Sequence, residues 1–100
     1  EFKAEQKGDQ VNLFWVTLSE INNDFFTIEK SLDLTNFDFV DKVSGAGNSN
    51  IPLEYTSTDY SPFPGISYYR LFQTDFNGNS EVLGLDNIDF KKLTGFEVDI

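Results

Sequence analysis

The chain reads as an all-β protein, a sandwich of two sheets built from seven short strands. Apolar and polar residues alternate in short runs, broken about every ten residues by Gly, Asn, Asp or Pro. No stretch repeats apolar residues at i, i+3, i+4 and i+7 over three turns, so an amphipathic helix has no support. Aromatic residues make up 16% of the chain, eleven of them Phe, and supply a core where no Cys exists to supply a disulfide.

The first strand is predicted from Phe2 to Gln6, closed by Lys7-Gly8-Asp9. A second runs from Gln10 to Thr17; Val11, Leu13 and Trp15 point inward and Asn12, Phe14 and Val16 outward. Glu20-Ile21-Asn22-Asn23-Asp24 reads as a loop, because Asn and Asp tolerate turn conformations and bond nearby backbone. The third strand is expected from Phe25 to Ser31, with Phe26 and Ile28 inward. Leu34-Thr35-Asn36 forms a loop before a fourth strand from Phe37 to Val43. There Phe37, Phe39, Val40 and Val43 break strict alternation and predict a bulge. Ser44 to Asn50, small and polar throughout, reads as a loop.

The fifth strand, Leu53 to Thr58, places Leu53 and Tyr55 on one face. Pro62, Pro64 and Gly65 make the segment from Asp59 irregular. The sixth strand is expected from Ser67 to Thr74, and Asn77-Gly78 turns it as a hairpin corner. The seventh runs from Ser80 to Ile88 with Leu83 and Leu85 inward. The pattern fades past Lys91. The domain is therefore expected over residues 1–93, with 94–100 a linker or the start of another module.

One hundred residues fit a single core. Seventeen acidic residues against seven basic ones give a formal charge of -10, which repels phosphate backbones and anionic lipid surfaces. Nucleic acid is not an expected partner. No apolar run approaches the ~20 residues of a membrane helix, so membrane insertion is not expected either. The chain has no His and no Cys, so a conventional catalytic triad cannot form and the commonest zinc ligands are missing. A sandwich this small rarely encloses the two-carboxylate cleft of a glycosidase. Lys30, Lys42, Lys91 and Lys92 show no sequence sign of burial. The expectation is a protein that is not an enzyme and uses no cofactor.

An immunoglobulin domain would carry Cys on its second and sixth strands and Trp on its third. Here Trp15 falls on the second strand, and Tyr68 and Tyr69 open the sixth. Pro64-Gly65-Ile66-Ser67-Tyr68 offers Tyr68 as the buried tyrosine, but alternation would then send Arg70 inward, and an unpaired buried guanidinium is costly. With Tyr69 inward, Leu71 follows it, and Tyr69 is the predicted core residue. Its hydroxyl can bond back to the preceding loop.

Several blocks together resemble a known family. They are Val11-Asn12-Leu13-Phe14-Trp15, Ser19 through Ser31, Gly45-Ala46-Gly47-Asn48-Ser49, Tyr55, Asp59, Tyr68-Tyr69-Arg70-Leu71 and Gln73-Thr74-Asp75-Phe76-Asn77-Gly78. In this order and spacing they are similar to the fibronectin type III-like module of Bacteroidetes-type secreted and surface proteins, often placed before a type IX secretion sorting domain. The resemblance implies a seven-stranded immunoglobulin-like β-sandwich, secreted or at the cell surface, serving as a structural or interaction module. A following sorting segment is implied by the resemblance alone. Phe14 and Phe72 stand where the family usually has polar residues, which implies an unusually apolar outer surface.

Two places carry candidate sites. Asp75, Asn77, Asn79 and Glu81 alternate oxygen-bearing side chains as the opening of a calcium loop does. The spacing favours a hairpin corner, since Gly78 is fourth from Asp75 where a calcium loop wants its Gly sixth. The second place follows from parity. If Phe26, Ile28, Tyr69 and Leu71 face in, then Phe25, Thr27 and Glu29 face out beside Tyr68, Arg70 and Phe72. Such a patch can stabilise its own sheet through cross-strand pairs, dock a neighbouring domain of the parent chain, or stack on polysaccharide. The expected core comprises Val11, Leu13, Trp15, Phe26, Ile28, Tyr55, Tyr69 and Leu71.

Overall fold

The computed structural model describes residues 1–92 and contains seven strands in two antiparallel sheets. They are β1 (Phe2–Lys7), β2 (Gln10–Thr17), β3 (Glu20–Ser31), β4 (Asp38–Ser49), β5 (Leu53–Asp59), β6 (Gly65–Asp75) and β7 (Ser80–Phe90). One sheet has the order β1-β2-β5 and the other β4-β3-β6-β7. The two layers form a β-sandwich. The segment expected to be a linker, 94–100, lies outside the described residues.

Alternation along β2 buries Val11, Leu13 and Trp15, and β3 and β6 bury Phe26, Ile28, Tyr69 and Leu71 from the opposite layer. Phe2 and Phe90 complete the buried cluster; Tyr55 is half-buried against it. Trp15 stacks on Tyr55 with ring centroids 5.6 Å apart and meets Phe26 edge-on at 5.3 Å. Each such side chain contributes about 1.5–3 kcal/mol by leaving water, and offset or edge-on rings add roughly 0.5–1.5 kcal/mol. The bulge expected in β4 falls at Val40, where Ile28 pairs with Asp41 and the next residue, Glu29, pairs with Phe39.

Three readings of the sequence are corrected. Glu20 to Asp24 belongs to β3, and Ser44 to Ser49 belongs to β4: Glu20 pairs with Ser49, Asn23 with Gly47 and Phe25 with Ser44. Ladder hydrogen bonds override the turn preference of these residues. Register shifts and the left-handed backbone of Asn22 (φ 54°) absorb their irregularity. Gly45 is required there, because a Cβ would come 2.4 Å from the buried Asn23 amide.

The second correction concerns β7. Leu83 and Leu85 are exposed, and the inward positions hold Gly84, Asp86, Ile88 and Phe90. A Cβ on Gly84 would stand 2.6 Å from Phe2 Cβ, so this inward position is reserved for the ring of β1. Asp86 accepts a bond from the Ala4 amide at 2.9 Å and ties the two sheet edges together.

The third is Lys30, which is buried. Its ammonium donates to Asp59 Oδ2 at 3.0 Å and to the Ser61 carbonyl at 2.5 Å, beside the Phe63 ring.

Candidate functional site

The outer face of the four-stranded sheet is the surface with the most unassigned chemistry. Antiparallel partners share a face, so the registers read directly as rows. One row runs Phe39–Glu29–Arg70–Leu85 from β4 to β7, and the next runs Lys42–Thr27–Phe72–Val82. Phe25 lies beside Thr74, and Tyr68 pairs with Asn87.

Arg70 is the centre of this face. It donates to Glu29 Oε1 at 2.6 Å, while its guanidinium lies 3.5 Å from the Phe37 ring centroid and 4.5 Å from that of Phe72. Arg70 Nε is buried without a hydrogen-bond partner among the described residues. Lys42 lies 4.1 Å from the centroid of Phe25. The four residues singled out from the sequence, Phe25, Tyr68, Arg70 and Phe72, thus share one face but are half-buried.

The exposed apolar surface lies beside them. Phe39 is 65% exposed and Ile66 61%, with Val82 and Leu85 also exposed. Sequence reasoning missed Phe39 because it lies next to a bulge, and it missed the β7 residues because their parity was inverted. By register, the charged side chains on this face are Lys42, Arg70, Glu29 and Asp89. These two positive and two negative groups balance one another, on a chain of charge -10.

Two buried carboxylates hold the ends of the sandwich. Glu20 receives the Asn23 amide at 2.7 Å and the Ala46 N–H at 2.9 Å on Oε1, and Thr17 at 2.8 Å and Tyr55 at 2.5 Å on Oε2. Burial alone would raise its pKa, but the bonds from Tyr55, Ala46, Asn23 and Thr17 outweigh it and hold the carboxyl below its ordinary value. Burial, then Glu20, pushes the Tyr55 phenol up to about 12. At the other end Asp59 Oδ2 takes both Lys30 and the Tyr69 hydroxyl. Each of these groups is held by partners from within the fold.

The hairpin candidates are used locally. Asn77 accepts the Asn79 N–H at 3.0 Å, the Gly78 N–H bonds the Asp75 carbonyl at 2.8 Å, and Gln73 reaches the Asp75 carboxylate at 3.3 Å. Among the described residues no group of three or more His, Cys, Asp or Glu is placed to hold a metal ion. No helix among them is long and apolar enough to cross a membrane. Comparison with protein-family models, with curated proteins and with solved structures finds no match.

Proposed function

We propose that this domain is a non-catalytic spacer and interaction module, of fibronectin type III-like kind, within a larger exported or cell-surface protein. The observation that carries the reading is the neutral apolar face of β4-β3-β6-β7 on an otherwise strongly acidic chain. The finer class is supported by the split into β1-β2-β5 and β4-β3-β6-β7, with Trp15 on β2 and Tyr69 on β6 meeting in one core. The non-catalytic reading is supported by Glu20, Asp59 and Lys30, whose polar atoms are spent on structural bonds.

Protein contact is favoured over a sugar platform. A sugar stacks on a free ring face, whereas Phe37 and Phe72 turn theirs to Arg70 and Phe25 turns one to Lys42. Co-sedimentation with insoluble polysaccharides tests the choice. The expected result is no retention. Retention abolished by Tyr68→Ala with Phe72→Ala would replace this reading with a carbohydrate-binding one.

A further inference from the structure

We infer that the outer face of β4-β3-β6-β7 binds a second copy of the same chain, across a two-fold axis that runs along the seam between β3 and β6. This rests on reading that face as an interaction surface, and it names the partner. The row Phe39–Glu29–Arg70–Leu85 is its own complement. Rotation about the seam exchanges β3 with the partner's β6 and β4 with the partner's β7. Glu29 then lies over the partner's Arg70, and Phe39 over the partner's Leu85. Sheets packed face to face sit about 10 Å apart and rotate by roughly 30°, which displaces the central pair least. An isologous dimer needs this kind of self-complementary patch.

Charge and size agree. The charges that register places on the face balance, so two copies meet with Glu29 set against the partner's Arg70, and most of the acidic groups that give the chain its charge of -10 lie off the contact. Four strands about 4.8 Å apart and roughly 30 Å long, covered on both copies, remove on the order of 1,000–1,500 Å², which reaches the size of specific interfaces.

Sedimentation equilibrium of the whole chain at roughly 10 μM to 1 mM tests this. The mass is expected to rise from 11.4 kDa towards twice that value. Association is expected to tighten with added salt, because salt screens the repulsion between acidic bodies while the contact itself is neutral. Phe39→Lys and Leu85→Asp alter exposed positions, so each variant should keep the wild-type melting transition while dimerising at least about tenfold more weakly. Mixed together they should form a heterodimer, since the new ammonium of one copy lies over the new carboxylate of the other. A chain that stays monomeric throughout, dimerisation that ignores both substitutions, or a mixture that shows no rescue would each overturn the inference. A monomer would leave the module reading in place; that reading stands or falls on the polysaccharide assay.

Discussion

The Tyr69 hydroxyl donates to Asp59 Oδ2 at 2.7 Å and joins β6 of one sheet to the end of β5 in the other. Lys30 of β3 donates to the same oxygen, so one carboxylate gathers three strands from both layers. A buried ion pair is weak evidence of net stabilisation, but removing one partner strands the other. Lys30→Met is expected to lower unfolding free energy by about 3–5 kcal/mol. Tyr69→Phe removes one hydrogen bond to a charged group and should cost less, about 1.5–3 kcal/mol. Urea titration of both variants checks the order. A Lys30→Met variant as stable as wild type would remove this carboxylate from the list of structural ties.

Trp15 touches Phe2, Phe26 and Tyr55 and so couples β1, β2, β3 and β5. Truncation of such a residue costs about 3–5 kcal/mol, a large share of the ~5–15 kcal/mol of a small domain. Trp15→Ala should therefore unfold at a far lower temperature, or be unfolded outright, by circular dichroism. An unchanged melting curve would contradict the packing.

Stability should fall at both extremes of pH. Glu20 titrates below its ordinary value of 4.5 when folded, so its contribution is complete above that value and disappears as pH falls through the lower, folded one. Glu20→Gln should be less stable than wild type near neutrality, with the gap closing in acid. Tyr55 behaves in the opposite sense. Its phenol moves from 10.0 to about 12 on folding, so its contribution is present below pH 10 and is lost as pH rises towards 12. Burial and the Asp59 bond raise the Tyr69 phenol further. Phenolate absorbance during an alkaline titration should show Tyr55 and Tyr69 ionising only as the fold opens. Normal ionisation of all four tyrosines in folded protein would refute both hydrogen bonds.

Gly45 faces the Asn23 side chain and carbonyl, and the contacts a Cβ would make, 2.4 and 2.8 Å, leave no room for a methyl group. Gly45→Ala is expected to cost about 1–3 kcal/mol through overpacking. It should also loosen the Glu20 network, visible as faster amide exchange at Ala46.

Much of this was legible in the chain because β2, β6 and the part of β3 from Phe26 to Lys30 follow strict parity. Val11, Leu13 and Trp15 have no inward polar residue to confuse the period, and the β4 bulge is written in the spacing of Phe39, Val40 and Val43. Where the reading failed, long-range partners decided the outcome. Ser44 to Ser49 looks like a loop until β3 supplies its ladder, and Glu20 looks solvated until Tyr55, Thr17, Asn23 and Ala46 converge on it. Leu85 turns outward because Phe2 fills the space at Gly84, and Leu83 falls in the bulge where the register slips between Leu71 and Phe72. The outer face was half visible: parity places Phe25, Tyr68, Arg70 and Phe72 on it, but the exposed Phe39, Val82 and Leu85 depend on the bulges of β4 and β7.

The claim that the outer face of β4-β3-β6-β7 pairs two copies of the chain is tested most directly by amide NMR spectra of the labelled chain over a dilution series. Concentration-dependent shifts are expected at Phe39, Glu29, Arg70 and Leu85, with the β1-β2-β5 face unmoved. Shifts confined to that opposite face, or none anywhere up to about millimolar concentration, would contradict it.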